Sequence, residues 1–421
     1  MSRQKVAQEK DKQDALAHYS SLFLHPENEI YLDGNSLGKL PLESKKVIQS
    51  VVDNQWGNNL IRSWNDHWLA LPKRIATKLE KLLGADKDEV IIGESTSVNL
   101  FKIIHGLMHS KCYPKQLLTD SLNFPTDNYI LEGLSKNNDY PPLVCIQYPN
   151  DLRANIEDIK NTLKQQPGIL CLSLVTYKSA YCYPMLELNT CAKENKSIIL
   201  WDFSHAVGVV DIDVKKTKTL AAIGCTYKYL NGGPGSPAFI FLDKSLQPKV
   251  TSPIQGWFGH ENPFDFSDEY KPAEGLQKFK AGTPTILSLA AMEPGIDITL
   301  SAGIKAIRSK SEELTEFLLQ EIKMELFPLG YKIESPEKKI ERGSHITISH
   351  KESWRICKCL LNGKINGPKV IPDFRPDKYL RLGIAPLYTS FEKLYFTVNR
   401  LKEIVIDKEF EQFEKDKPVV T

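Results

Sequence analysis

No stretch of this 421-residue chain approaches the roughly 18 apolar residues that a membrane-spanning helix needs, so no such helix is expected. Charge of a single sign is missing as well. The 54 Lys and Arg against 52 Asp and Glu leave a formal charge of +2, without the clustered basic field of a nucleic-acid-binding protein. Cysteine is sparse and scattered: of Cys112, Cys145, Cys171, Cys182, Cys191, Cys225, Cys357 and Cys359, only the last two are close together. That C-x-C has no second ligand pair at zinc-like spacing, so no metal site is expected. Dispersed thiols in apolar runs point instead to buried free cysteines in a reducing, cytosolic compartment. The start, MSRQKVAQEKDKQDALAHYS, has no apolar h-region and is not read as a signal peptide. No Walker pattern occurs, and GGPG (Gly232 to Gly235) has the wrong spacing for a dinucleotide fingerprint, so both nucleotide readings fail.

What is present is an ordinary globular composition, 41% hydrophobic and 25% charged, at a length suited to two or three domains. Lys10 to Pro41 reads as a short helix followed by the extended EIYLDGNSLGKLP, broken by Gly34 and Gly38. Ser44 to Leu83 reads as helical, interrupted at Pro72 and closed by Gly84. Apolar, β-rich runs then begin at Glu89, Gln116, Pro142, Gly168, Ser197, Leu220 and Pro237, several of them separated by helix-length stretches. This alternation predicts an α/β fold with a mostly parallel sheet covered by helices on both faces. A strongly helical stretch from Leu287 to Phe327 follows. Beyond it, β-like pieces (GYKIESP, SHITISH), a helix near Trp354 to Leu361 and a closing helix from Phe391 to Phe413 read as a smaller α+β domain.

The chemistry concentrates at two strand ends. SIILWD ends in Asp202, and His205 follows three residues later. Ligands of open α/β sheets bind beyond the carboxyl ends of strands, although a capping Asp202 and a core His205 would account for this stretch equally well. The next run ends GCTYKYLNGGPG, which puts Lys228 past a neighbouring strand end. Lysines are rarely buried unless paired or reacting. A lysine and an aspartate so placed suit pyridoxal phosphate. The lysine forms a Schiff base, and the aspartate keeps the pyridine nitrogen protonated. His205 could flank the ring or hydrogen-bond Asp202. GESTSVNLFKII (Gly93 to Ile104) has the hydroxyls and helical pattern of an anion-binding helix N-terminus, or of a plain N-cap at Ser95 or Ser97.

Seven motifs in order, YLDGNSLGKLP, NFPTD, WDFSHAVG, YKYLNGGPGSPAF, QGWFGH, AGTPTIL and LRLGIAPLYTSF, span Tyr31 to Phe391. Together they resemble the kynureninases, members of the aspartate-aminotransferase-like (fold type I) pyridoxal-phosphate enzymes. The resemblance implies an N-terminal arm over 1–45 packing with the small domain, a large cofactor-binding domain over 46–295 and a small C-terminal domain over 296–421. It makes Lys228 the Schiff-base lysine, Asp202 the partner of the pyridine nitrogen and His205 a pocket residue. Thr96 and Ser97 match the phosphate loop. Phe124 matches the ring-stacking aromatic of a loop that continues through Pro125 and Thr126 to Asp127. Tyr227 matches a tyrosine that reaches the phosphate, and is a candidate proton relay. Trp257 and Thr283 match residues that reach the phosphate from the neighbouring subunit, which implies a homodimer with shared sites. Arg381 matches the arginine that grips the amino-acid carboxylate, a task suited to a guanidinium fork. Asn35 and Ser36 fall near the aryl end of the substrate. His260 matches a family histidine, with a structural role equally open.

The implied reaction is hydrolysis of L-kynurenine or 3-hydroxy-L-kynurenine to anthranilate or 3-hydroxyanthranilate and L-alanine, in tryptophan catabolism and NAD precursor synthesis. There are two departures. Thr283 stands where many members have asparagine, and VTYKSAYCYPM (Val175 to Met185) replaces the expected Tyr-basic-Thr-Gly pattern. Two other readings stand beside this one. The first is a different reaction on the same cofactor, either transamination or cysteine desulfuration through Cys182. The second is a pyridoxal-phosphate fold that has lost catalysis and only binds.

Overall fold

The computed structural model describes residues 2–137, 140–364, 367–376 and 378–414; the end of the expected small domain, 415–421, lies outside the described residues. In chain order the first elements are α1 (Arg3–Lys12), β1 (Glu29–Tyr31), α2 (Leu42–Ser50), α3 (Leu71–Leu83), β2 (Val90–Ile92), α4 (Thr96–His109), β3 (Leu117–Asp120) and α5 (Pro125–Asn137). Then come β4 (Val144–Ile146), α6 (Ile156–Gln165), β5 (Ile169–Ser173), α7 (Met185–Glu194), β6 (Ile198–Asp202), β7 (Ala221–Gly224) and β8 (Phe239–Leu242). The remainder is α8 (Ile286–Ala302), α9 (Ile304–Glu325), β9 (Lys332–Ile333), β10 (His345–Ser349), α10 (Ser353–Asn362), β11 (Lys369–Ile371), β12 (Asp373–Arg375), β13 (Tyr379–Gly383) and α11 (Phe391–Ile406).

The seven apolar runs of the middle segment are the seven strands of one sheet, ordered β2-β8-β7-β6-β5-β3-β4. Only β8 runs antiparallel to its neighbours β2 and β7. Every residue of β5 and β6 is buried, because helices cover both faces. The period-two alternation divides them. Leu170, Leu172, Ile199 and Trp201 join the core beneath α3 and α8, whereas Ile169, Cys171, Ile198 and Leu200 join the core beneath α4 and α5. No helix among the described residues is long and apolar enough to cross a membrane.

A second core, containing Leu314, Phe317, Ile346, Ile348, Leu382 and Val398, unites α9, α10 and α11 with the four-stranded sheet β12-β13-β10-β9. The N-terminal arm belongs to this body. Ala7 of α1 lies in its core, Asp11 accepts from Phe391 N (2.8 Å) and Glu392 N (2.9 Å) at the start of α11, and β1 pairs parallel with β11. The sequence places the first helix after Lys10, but it runs from Arg3 to Lys12; its polar surface hides the few side chains that pack. The boundary expected at 295/296 falls inside α8. Residues up to Ile296 pack in the large core, and the change of body comes at Gly303, which takes φ +79° between α8 and α9. The interruption expected at Pro72 falls just before it, at residues 69–70, between a helical segment ending at Trp68 and α3. Pro72 itself sits in the first turn of α3, where its missing N–H leaves no bond unmade.

Candidate active site

The sheet delivers its carboxyl ends to one cleft. β6 ends in Asp202, whose Oδ1 accepts from Ser204 N (2.9 Å) and Ser204 Oγ (2.5 Å). Burial pushes this carboxyl above its usual range, against the pull of Ser204 and of Lys228. The neighbouring β7 ends at Gly224, and the chain then turns so that Lys228 Nζ lies 3.0 Å from His205 Nε2. Burial lowers the lysine, and it lowers the histidine far below the ordinary value, helped by the charges of Lys228 and Arg381. A neutral imidazole therefore faces the amine. Asp127, in the first turn of α5, also enters here with a buried Oδ2 that has no hydrogen-bond partner. Burial and the nearby Asp202 hold its carboxyl well above the usual range.

The N-terminus of α4 supplies a second wall. Ser95 is its cap, accepting from Val98 N at 3.3 Å, so Thr96 and Ser97 occupy the first turn, where backbone N–H groups lack helical partners. Tyr227 lies opposite. Its phenol is raised by burial, and its carbonyl accepts from Gly38 N at 2.8 Å. A Cβ on Gly38 would strike the Lys228 carbonyl and the Asn231 amide, so the GNSLG turn can approach the lysine only with glycine there.

The third wall comes from the small domain. Buried Arg381, on β13, donates Nε to Asp373, Nη1 to Tyr177 O (2.7 Å) and Nη2 to Ser36 Oγ (3.2 Å). Among the described residues, its two remaining terminal N–H groups have no hydrogen-bond partner. Asp373 also accepts from Arg375 Nε at 2.8 Å. Asn35 is fully buried with both amide atoms unpartnered, and its side chain fits only because Gly383 has no Cβ.

One cavity of about 230 Å³ brings these walls together. Asp202, His205, Tyr227 and Lys228 line its floor, Phe124, Thr126 and Asp127 one side, and Asn35, Ser36 and Arg381 another. Thr96 and Ser97 line both this cavity and an adjoining one of about 510 Å³, which also reaches Thr283. Pro125 starts α5 and does not line either cavity. Trp257 stands apart, half-exposed, with its ring against Phe258, Phe264 and Phe266.

The comparisons agree with this geometry. Residues 307–401 match the family described as kynureninase C-terminal domain. The kynureninase of Pseudomonas fluorescens is 35% identical over 407 residues, covering 96% of this chain and 95% of that protein. That of Burkholderia mallei is 35% identical over 402 residues, covering 94% of each. The chain belongs to the kynureninase family. Among solved structures, the apo cysteine desulfurase of Thermococcus onnurineus NA1 superposes with a TM-score of 0.78 at 16% identity, over 90% of this chain and 95% of that one. The cystine C-S lyase C-DES, in complex with cysteine persulfide, does so with a TM-score of 0.77 at 15% identity, over 90% and 98%. At such identities what is shared is the fold.

Three residues of the cleft escaped the sequence reading. Ser204 was visible as the third residue of an Asp-x-Ser turn. Arg375 sits two residues after Asp373 on one face of β12, and Asp373 lies opposite Arg381 across the ladder. The D-x-R…R spacing of a charged hairpin was the available signal. Tyr177 has no signal in the sequence; it matters through its carbonyl on Arg381 and its ring, edge-on to Phe124 with the centroids 5.4 Å apart.

The atypical Val175–Met185 loop is a tie between the domains. Thr347 Oγ1 of β10 donates to Lys178 O, and Thr176 Oγ1 lies 3.0 Å from Ser179 Oγ. Ala180 takes φ +65°, a left-handed conformation where glycine would be unstrained. His260 has a structural role. Its Nδ1 accepts from Asn262 N (3.0 Å), so Nε2 carries the proton and donates to Glu269 O at 3.2 Å, pinning the loop that carries Trp257.

Proposed function

We propose that the chain hydrolyses L-kynurenine or its 3-hydroxy derivative to the corresponding anthranilate and L-alanine, with pyridoxal 5′-phosphate held in the cleft. The observation that carries this reading is a buried amine, Lys228 Nζ, facing a neutral His205 in the same cavity as an arginine with two terminal N–H groups free.

The residues fit the cofactor. Lys228 offers an amine for its aldehyde, Asp202 a buried carboxylate for its ring nitrogen, and the α4 N-terminus with Thr96 and Ser97 a cradle for its phosphate. Phe124 supplies an aromatic face, while the orphaned Oδ2 of Asp127 still lacks a donor. Bound there, the cofactor supplies the electron sink that lets a substrate α-proton leave.

The chain's own groups do the rest. Arg381 fixes the substrate carboxylate end-on, and Ser36 and Tyr177 O hold its guanidinium in place. The amine of Lys228, lowered by burial, takes the α-proton, and His205 Nε2 beside it orients that amine. The Tyr227 hydroxyl stays protonated and is the relay for the later proton transfers. Asn35, with both amide atoms unpartnered, hydrogen-bonds the aryl end.

A homodimer is part of the proposal. Trp257 (37% exposed), Phe264 (48%) and Phe266 (76%) form an apolar patch near Thr283 that a second copy would cover, bringing Trp257 and Thr283 to the partner's phosphate. Free thiols at all eight cysteines support a reducing, cytosolic setting. Desulfuration is not favoured, because the half-buried Cys182 thiol does not line the cleft and desolvation pushes it up to about 11.

The test is to supply pyridoxal phosphate and L-kynurenine and follow anthranilate fluorescence. Turnover supports the reading, and loss of turnover in Lys228→Ala ties it to the amine. No turnover with either kynurenine substrate refutes it. Restored activity on mixing Lys228→Ala with Trp257→Ala chains would demonstrate the shared site.

A further inference from the structure

The carboxylate fork, Arg381, belongs to a four-charge cluster whose other three members the reaction does not use. Asp373 bridges the guanidinium groups of Arg381 and Arg375. Asp33 stands on the other side of Ser36, whose hydroxyl favours the ionised Asp33 carboxyl and whose Oγ accepts from Arg381 Nη2 at 3.2 Å. Two arginines and two aspartates make a neutral quartet. It sits where the N-terminal arm meets β13, with Asp33 bridged to Gly383. Asp33 Oδ1 is buried and has no hydrogen-bond partner.

A substrate carboxylate docking on Arg381 adds one negative charge to this neutral group in a cleft poorly screened by water. A buried excess charge is costly, and an orphan carboxylate oxygen is the place where a proton can cancel it. We infer that Asp33 takes up one proton from solvent when the substrate carboxylate docks on Arg381, so that substrate binding is proton-linked through this residue.

The surroundings allow it. From β12, Asp373 repels the ionised form of Asp33 and Arg375 favours it; from β13, Arg381 favours it. Tyr31, Tyr229, Tyr388 and Cys357, which also face the site, are all raised by burial and stay neutral. Burial first, then Asp373, already holds the Asp33 carboxyl up at about 6, so one further negative neighbour carries it through neutrality. The inference rests on the proposal that Arg381 binds the carboxylate.

The test is calorimetric titration of the pyridoxal-phosphate-loaded enzyme with L-alanine at pH 7, in two buffers of different ionisation enthalpy, for wild type and Asp33→Asn. Protons released or taken up by the ligand amine and Lys228 are common to both proteins. Wild type should take up close to one proton more per site, and its KM for L-kynurenine should rise about tenfold per pH unit above neutrality relative to the variant. A merely structural Asp33 would shift affinity equally at every pH and leave the proton count unchanged; that result overturns the inference. If Asp33→Asn fails to fold, the wild-type infrared difference spectrum decides. A new protonated-carboxyl band on adding L-alanine is expected, and its absence refutes the idea. If Arg381→Gln binds L-alanine as tightly as wild type, the carboxylate assignment has failed instead.

Discussion

The two sides of the cleft are built on opposite electrostatic plans. On the large-domain side, strand ends bury Asp127, Asp202, His205 and Lys228 with few partners, and burial drives each toward its uncharged form. On the small-domain side, the antiparallel β12–β13 ladder sets Arg375 and Arg381 against Asp373, so the guanidinium groups remain charged although Arg381 is buried. The difference separates two tasks. Groups that burial pushes toward their uncharged forms can exchange protons during a reaction, whereas the fixed charges of the guanidinium groups recognise and hold.

The sharpest way to break this division is Lys228→Ala. It should remove turnover by at least about 10³-fold while the urea midpoint stays near that of wild type. A variant that still turned over would collapse the proton-exchanging side of the argument. Arg381→Gln probes the other side. Losing a buried charge pair typically costs about 2–5 kcal/mol, so KM for L-kynurenine should rise about 10²-fold, with kcat changed much less. Equal losses in kcat and KM would mean that recognition and chemistry are not separable here.

Asp120, at the end of β3, extends the large-domain pattern into the fold. Burial holds its carboxyl up at about 6 against 3.8 unfolded, opposed by hydrogen bonds from Tyr183 and Tyr148. An acid raised in this way contributes stability that is complete below pH 3.8 and lost as pH rises through about 6, a loss of about 3 kcal/mol. Asp120→Asn should flatten the pH dependence of Tm over that interval; an unchanged slope would show that burial alone does not govern this side. The smallest effect is expected at the tie between the halves. Ala180→Gly relieves a left-handed residue and should stabilise by about 0.5–1 kcal/mol in urea unfolding, with activity unaltered.

How much was legible in the sequence followed the same division. The sheet could be read strand by strand because strands covered on both faces are continuous apolar runs, and Asp202 and Lys228 stood out as charges at the ends of such runs. The small-domain side could not. β11 and β12 are three residues long and partly exposed, so periodicity has nothing to act on, and the cross-ladder pairing of Asp373 with Arg381 emerges only from register. Arg381 itself was reached through a resemblance rather than a pattern. Tyr177 O acts through backbone placement, which leaves no mark on residue identity, whereas Asn35 was reached through the same resemblance and only its packing against Gly383 was invisible.

The pairing of β1 with β11 bears on how the protein comes into being. Glu29 lies opposite Lys369, near the far end of the chain, and the GNSLG turn that carries Asn35 and Ser36 hangs from that pairing. Loop closure over so long a span is slow and comes late in folding. A ribosome that has delivered the large domain has therefore set the lysine and its strand ends in place, but it has not yet made the fork, and the turn, though synthesised early, still lacks the strand pairing it hangs from. Assembly of the working cleft waits for the last strands to emerge, and a slow or interrupted C-terminus should yield a chain with a folded sheet and an open, unfinished site.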